Sequence, residues 1–271
     1  MPRGTNRVDE AHLQNRLWTP AVLRPAAWYD AADLSTIATV SGGVSEWRDK
    51  SGNGRTVSQA TAGNRPTYTT AGLNNLNVLT FSRTNSTFLR TTTSSITSGT
   101  YTGQLDFAWV ANRTDSIGGT IITERNSSLV GETQWVFDTG AYFISSDGAN
   151  TNSNQQISAA TFALLSTSAA IAYHTHISGS RDRFWLNGAE ITVTTGTASN
   201  ITGSTGISIG RREGNVAQFW TGVIAEIIAL PRTTSTSDRL NIEGYLAWKW
   251  GLVTNLTAIH PFKNRPPVIG D

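Results

Sequence analysis

Acidic side chains are the residues of this chain that could catalyse hydrolysis, but they stand apart from one another. A β-sandwich glycosidase needs two carboxyl groups about 5 to 10 Å apart, one to protonate the leaving oxygen and one to attack or to activate water. No E-x-D-x-E pattern places such a pair along one strand. Glu226 lies in an apolar run, and Glu124, Glu132 and Glu190 lie on separate segments. We therefore expect a protein that is not an enzyme. The sequence predicts no local nucleophile–base triad, and a triad that the fold assembles from distant residues stays open.

Two histidines, His174 and His176, have a spacing that could bring two metal ligands together. Alternate side chains of a β-strand share a face, so both imidazoles would lie on one side of a strand predicted from Ala169 to Ser178. A zinc or iron site needs a third protein ligand, and the neighbouring sequence supplies none. We expect a surface or partly buried histidine pair. The chain has no cysteine, which excludes a disulfide scaffold and a thiolate metal site.

The segment Asp49-Lys50-Ser51-Gly52-Asn53-Gly54 is the best candidate in the sequence for a calcium loop. Its glycines accept positive φ, and its polar residues expose carbonyl oxygens. Asp49 and Asn53 could supply hard oxygen ligands, but calcium takes six or more oxygens, several of them from carboxylates. Because the local acids are few, we expect a structural turn without a cofactor, with calcium as the alternative.

Trp185 and Arg183 form the candidate carbohydrate site. The segments RDRFWL and AEITVTT flank an Asn-Gly pair, which favours a type I′ turn and predicts a β-hairpin. Alternation puts Trp185 and Arg183 on one face and Phe184 with Leu186 on the other, so one face must point away from the core. An exposed Trp beside an Arg would form a sugar platform. The alternative is a Trp that packs under a second layer of structure.

Composition predicts that these residues are carried on short strands. Thr, Ser, Gly and Asn are abundant, and 271 residues with 38% hydrophobic side chains are enough for one complete core. The run from Phe219 to Leu230 predicts a strand buried on nearly both faces. Inside it, we expect Glu226 to accept hydrogen bonds or to pair with Arg211 or Arg212.

One helix is predicted after that strand. Ser237 is a candidate N-cap with Asp238 in the first turn, and Gly251 is placed to end the helix in the left-handed conformation. The large side chains between these ends are Leu240, Ile242, Tyr245, Leu246, Trp248 and Trp250. The sequence thus predicts a single aromatic helix near the C-terminus.

Several longer motifs carry a resemblance to a known family. GVIAEIIAL is followed by EGYLAWKWGL and by HPFKNRPP, while WYDAADLSTI, VSEWRDKSGNGR and RPTY lie near the start. With the RFWLNG hairpin, these segments resemble the concanavalin A-like, laminin-G-like jelly-roll domains of bacteriophage virion proteins. The resemblance implies an all-β sandwich of two antiparallel sheets, with an N-terminal arm and one short C-terminal helix. It implies little about biochemical role, because this sandwich hosts lectins, glycosidases and structural modules.

The sequence divides into an arm, residues 1–25, and a laminin-G-like sandwich domain, residues 26–271. Leu13, Leu17 and Trp18 are the candidate residues by which the polar arm contacts a partner, and a disordered tail is the alternative. By analogy with the family, we expect a homo-oligomer, with a trimer favoured.

Charge and hydropathy exclude two kinds of partner. The net charge is only +2, and no basic stripe with interleaved aromatics marks a nucleic-acid groove. No run approaches the roughly 18 apolar residues of a membrane span, so we expect no membrane contact. The first residues lack the apolar stretch of a signal peptide, from which we expect synthesis and assembly in the host bacterial cytoplasm.

Three hypotheses about function follow. The leading one is a non-enzymatic virion structural protein, a capsid decoration or tail-associated subunit that docks on other virion proteins through its arm and its sandwich surface. The alternative is a lectin-like carbohydrate-binding module that adheres to a host glycan, and the third is a glycoside hydrolase. The first two are compatible, because many copies on one particle give avidity to weak sites.

Overall fold

The computed structural model describes residues 16–97, 100–115, 118–125, 133–138, 141–143, 155, 157–158, 168–194, 196–198, 201–202, 205–212, 218–232 and 234–271. Eighteen strands and one α-helix lie within these residues. The strands are β1 Ala27–Asp30, β2 Ile37–Val40, β3 Gly43–Trp47, β4 Val57–Ser58, β5 Thr67–Leu73, β6 Leu76–Phe81, β7 Leu89–Thr91, β8 Thr100–Tyr101, β9 Gln104–Arg113, β10 Gly119–Arg125, β11 Thr133–Asp138, β12 Ala141–Phe143, β13 Ala170–Ile177, β14 Arg183–Leu186, β15 Ala189–Ile191, β16 Ile201–Thr202, β17 Gly206–Ile209 and β18 Gly222–Leu230, and the helix is α1 Thr236–Lys249.

Most strands belong to one hydrogen-bonded path that folds over on itself. Its order is β12-β11-β10-β17-β7-β4-β3-β5-β6-β18-β9-β13-β14-β15, with β1 added on β18 and β2 on β3, while β8 and β16 form a separate pair. Neighbouring strands run antiparallel. The two halves of the path face each other, because Trp47 of β3 and Trp109 of β9 belong to the same buried cluster. The all-β, jelly-roll sandwich predicted from the sequence is confirmed.

Helix α1 adds a second buried layer on the outer face of one half. Strand β18 supplies both layers, since Ile227 faces the cluster between the halves and Ile228 faces the cluster beneath the helix. This double burial explains why the strand lacks polar alternation. The regular strand begins at Gly222, later than predicted, and Phe219 makes only an isolated bridge to Arg211.

The ends of α1 follow from local chemistry. Ser235, and not Ser237 as predicted, is the N-cap. Its hydroxyl accepts from the backbone N–H of Asp238 at 3.0 Å, and the Asp238 carboxylate accepts from the backbone N–H of Ser235 at 3.0 Å. This capping box satisfies two N–H groups at once, which Ser237 could not do within the first turn. Gly251 has φ +68°, as predicted for a helix-ending glycine.

The hairpin of β14 and β15 forms as the Asn-Gly pair predicts. Asn187 and Gly188 have φ values of 53° and 80°, so both central residues are left-handed, as a type I′ turn requires. Phe184 faces the cluster between the two halves, whereas Trp185 faces the cluster beneath α1.

Residues 16–25, assigned to the arm from the sequence, pack on the sandwich. The backbone N–H of Trp18 donates to the carbonyl of Pro267 at 3.0 Å. The Trp18 side chain is 4% exposed and meets Tyr245 of α1 edge-on, with ring centroids 6.2 Å apart. Trp18 therefore packs on the sandwich of its own chain and is not exposed to a partner. The Leu17 side chain remains 64% exposed. Leu13 lies outside the described residues. No helix in the described part of the chain is long and apolar enough to cross a membrane.

Candidate functional site

Glu226 is the centre of a buried hydrogen-bond network that joins β18 to β1 and α1. Its Oε1 accepts from the indole N–H of Trp28 at 2.7 Å and from the Tyr245 hydroxyl at 3.0 Å. Its Oε2 accepts from the indole N–H of Trp250 and from Lys249 Nζ, each at 2.7 Å. Burial raises the pKa of Glu226, and the neighbouring Lys249 charge opposes that rise. Donors therefore surround both oxygens, and the carboxylate has a structural role.

The same network continues to the surface through alternating charges. Lys249 Nζ also lies 2.6 Å from Asp30 Oδ1. Lys50 Nζ lies 2.9 Å from Asp30 Oδ2 and 2.8 Å from Asp33 Oδ2. Motif residues from near the start of the sequence, Asp30 and Lys50, thus form one ion-pair network with Lys249 near its end. This network ties β1 to α1 and stabilises the fold. The expectation that Glu226 accepts hydrogen bonds is confirmed. Its charged partner is Lys249 on the covering helix, in place of the Arg211 or Arg212 of the alternative.

The Asp49 loop is a structural turn in which both oxygens of Asp49 are occupied. They accept from the backbone N–H groups of Trp28, Ser51 and Arg55 at 2.9 to 3.1 Å and from the Ser51 hydroxyl at 2.8 Å. Asn53 donates its amide N–H groups to backbone carbonyls, at 3.1 Å in the case of Ala26. Within the described residues, no group of three or more His, Cys, Asp or Glu side chains could hold a metal ion.

The two histidines of β13 are fully buried, whereas a surface or partly buried pair was expected. His174 Nε2 lies 2.9 Å from Asp182 Oδ2, and His176 Nδ1 lies 3.3 Å from Asp182 Oδ1. Burial lowers the pKa of His174. Burial would raise the pKa of Asp182, but the hydrogen bonds from both histidines hold it below its usual range. Asp182 was not identified from the sequence because the chain reverses direction between it and the histidines.

A nucleophile motif that we did not predict lies in β17, where Gly206 to Gly210 reads G-x-S-x-G. A nucleophile elbow needs a sharp strand-to-helix turn that exposes the serine. Ser208 instead lies inside a strand that pairs with β7 and β10, and it is 1% exposed. The motif therefore forms no nucleophile.

A group of convergent polar side chains lies at a cleft between the outer sheet face and the start of α1, which we call the polar cleft. Its volume is about 190 Å³. Strand register brings its floor together, because Thr175 pairs with Arg183 and Tyr173 with Trp185 across β13 and β14. The lining residues are Gln104, Tyr173, Thr175, Ile177, Arg183, Trp185, Thr234, Ser235, Thr236 and Arg239.

Trp185 lies at the base of the polar cleft beneath two arginines. The guanidinium carbons of Arg183 and Arg239 lie 4.6 Å and 4.5 Å from the centre of its ring. Tyr173 meets it edge-on, with ring centroids 5.9 Å apart. Trp185 is 5% exposed, so it is not the open sugar platform that the sequence left as one possibility. The alternative, packing under a second layer, is confirmed, and Arg183 and Trp185 do share a face.

Asp106 lies behind the polar cleft and holds its polar residues in place. Its carboxylate accepts from the Tyr173 hydroxyl at 2.9 Å, from Gln104 Nε2 at 3.0 Å and from the Thr234 hydroxyl. Burial raises the pKa of Asp106, against the lowering effect of these hydrogen bonds. Asp106 is fully buried, so it positions the side chains that face the opening.

A second concavity, the apolar groove, lies beside the exposed side chain of Leu17. Its volume is about 320 Å³. Trp248 forms part of its wall, is 39% exposed, and is held by an indole N–H bond of 2.9 Å to the carbonyl of Phe262. The lining residues are Leu17, Trp18, Thr19, Tyr245, Trp248, Lys249, Pro266 and Pro267.

Comparison with known proteins identifies the fold. No protein-family model and no curated protein matches the sequence. The structure is similar to the botulinum neurotoxin serotype G binding domain, with a TM-score of 0.56, 10% identity, and coverage of 84% of this chain and 52% of that one. It is also similar to the receptor binding domain of botulinum neurotoxin D, with a TM-score of 0.53, 9% identity, and coverage of 81% and 52%. The chain therefore spans about half the length of these domains.

Proposed function

We propose that this chain is a non-catalytic, lectin-like module that binds carbohydrate in the polar cleft. The observation that carries the proposal is the convergence there of hydroxyl groups, two guanidinium groups and a fixed aromatic pair. Sugars are bound by directional hydrogen bonds, and the lining offers hydroxyl, amide and guanidinium groups that can make them. The volume of about 190 Å³ suits one sugar unit. The similar solved structures are neurotoxin binding domains, which supports a binding role over a catalytic one.

The site is built before any ligand arrives. Tyr173, Gln104 and Thr234 are held by the buried Asp106, and Arg183 and Arg239 lie against Trp185. Such preorganisation lowers the entropic cost of binding, because few rotamers remain to be fixed. The small size of the cleft implies a weak single site. Display of many copies would then supply the affinity that adhesion requires.

The test is binding of the fluorescently labelled chain to a multivalent glycan array, repeated with two matched variants. Thr236 is exposed and lines the polar cleft, so Thr236→Trp fills its opening without disturbing the core. Ser237→Trp places the same side chain on the next exposed residue of α1, outside the lining. We expect the wild type and Ser237→Trp to bind the same glycans and Thr236→Trp to lose them. Undiminished binding by Thr236→Trp, or no glycan bound by the wild type, would refute the proposal.

A second candidate is a structural subunit of a bacteriophage particle, in the capsid or the tail, assembled in the host cytoplasm. The motif resemblance and the apolar groove favour it, because an exposed Leu17 beside an exposed Trp248 offers apolar surface to another copy of the chain. This candidate expects self-association, with a trimer favoured by analogy.

Sedimentation velocity of Leu17→Glu tests this second candidate. Leu34→Glu is its matched control, since Leu17 and Leu34 are 64% and 65% exposed. We expect the wild type and Leu34→Glu to form the same oligomer and Leu17→Glu to sediment as a monomer. A wild type that is monomeric at high micromolar concentration would contradict the candidate without bearing on glycan binding.

A further inference from the structure

The polar cleft has an uneven charge distribution. Its lining contains two charged side chains, Arg183 and Arg239, and both are cationic. Their acidic partners, Glu190 and Glu243, do not line it. The Glu190 side chain is 50% exposed and lies outside the cleft. The Glu243 side chain, on the buried side of α1, is 1% exposed. A ligand that enters would therefore meet the positive ends of two ion pairs.

Each arginine keeps donors that its acidic partner does not use. Arg183 donates to Glu190 through Nε and Nη2, at 2.8 Å and 3.0 Å, and its Nη1 makes no hydrogen bond to a described residue. Arg239 donates to Glu243 through Nη1 at 2.6 Å, and its Nη2 makes no hydrogen bond to a described residue. A planar guanidinium with unused N–H groups matches a carboxylate or a sulfate, because charge-assisted hydrogen bonds are the stronger ones.

The arginines are also fixed in position. Both guanidinium groups lie over the same Trp185 ring, at 4.6 Å and 4.5 Å from its centre. Stacking and an ion pair together restrict a side chain that would otherwise lose much rotamer freedom on binding. Asp106, an acid behind the lining, is fully buried, and its oxygens are taken by Tyr173, Gln104 and Thr234. The cleft thus presents fixed positive donors.

We propose that the saccharide bound in the polar cleft is acidic and that its carboxylate or sulfate group lies between Arg183 and Arg239. This inference rests on the proposed carbohydrate-binding function and adds the chemical class of the sugar. The hydroxyl-bearing side chains bind the neutral part of the ring, and the two arginines select the anion.

The experiment uses sugars that differ only at C6. The probes are glucose, glucuronic acid and glucose 6-sulfate, with the matching galactose series, each displayed at the same density on the same linker. We expect at least tenfold tighter binding of the carboxylated or the sulfated member than of the neutral one, and a decrease of this preference as sodium chloride is raised. Comparison of the carboxylated with the sulfated sugar shows which of the two anions the cleft prefers.

Substitutions at three arginines identify the residues responsible. Arg183→Gln and Arg239→Gln should each reduce the preference for the acidic sugar over the neutral one about tenfold. Arg48→Gln is the control, because Arg48 and Glu46 form an exposed ion pair with side-chain exposures of 52% and 43%, close to the 54% and 50% of Arg183 and Glu190. Thermal unfolding of each variant checks folding, and Arg239→Lys keeps the charge if loss of the Glu243 partner destabilises Arg239→Gln.

The outcomes separate this inference from the proposed function. Equal binding of neutral and acidic sugars that Thr236→Trp still abolishes would overturn the inference and leave the carbohydrate-binding function standing. A preference for acidic sugars that survives both glutamine variants would overturn the assignment to these arginines. Absence of binding to any displayed sugar would overturn both.

Discussion

Replacement of Glu226 by Gln should destabilise the protein strongly, because the carboxylate accepts four hydrogen bonds in the interior. Glutamine keeps an oxygen for Trp28 and Tyr245 but turns an NH₂ group toward Lys249 and Trp250, which are themselves donors. Lys249 keeps Asp30 at 2.6 Å, whereas the Trp250 indole loses its acceptor. Removal of one partner of a buried ion pair costs about 3–5 kcal/mol, and one orphaned buried donor costs about 1–3 kcal/mol.

We therefore expect the free energy of unfolding to fall by about 4 kcal/mol, and the thermal midpoint by about 10 °C. The assay is urea unfolding followed by tryptophan fluorescence, with linear extrapolation to zero denaturant. Glu190→Gln is the control, since its exposed pair with Arg183 should be worth less than about 1 kcal/mol. A Glu226→Gln protein within about 1 kcal/mol of the wild type would refute the idea that this network fixes the fold.

Three further predictions concern two other acids, Glu124 and Asp49. Burial raises the pKa of Glu124 to about 7, so the folded protein keeps this proton to a higher pH than the unfolded chain. The wild type should lose up to about 3 kcal/mol of stability as pH rises from about 5 to about 7, and Glu124→Gln should not; parallel pH profiles from urea unfolding would contradict this. Asp49→Ala should cost about 2–4 kcal/mol, because three backbone N–H groups lose their acceptor. Millimolar calcium should leave the thermal midpoint of the wild type unchanged. A clear rise in the wild type that Asp49→Ala does not show would contradict this and indicate a calcium site in this loop.

Local sequence was sufficient for the turns and for the faces of the strands. The Asn-Gly pair predicted the left-handed φ values at Asn187 and Gly188, and Gly251 predicted the end of α1, because each depends on the residue itself. The N-cap was misplaced by two residues, since Ser235 and Ser237 are equally good caps until the reciprocal bond with Asp238 chooses between them.

Contacts between residues far apart in the chain could not be predicted from the sequence. The sequence contained Trp28, Lys249 and Trp250 as motif residues but gave no sign that all three donate to Glu226. Trp28 is separated from it by 198 positions along the chain. Such contacts follow from strand order and from the docking of α1, which depend on how the whole apolar surface is buried.

By itself, the sequence determined the all-β class, the hairpin, the helix after β18 and the sharing of a face by Trp185 and Arg183, because alternation and turn chemistry act between near neighbours. Only the tertiary structure decided that α1 covers this face. Helix α1 buries Trp185 and places Arg239 over the Trp185 ring. A cleft therefore forms where an open aromatic platform was one of the two expectations. Whether a strand face becomes a platform or the base of a cleft depends on the layer packed above it, which strand periodicity does not encode.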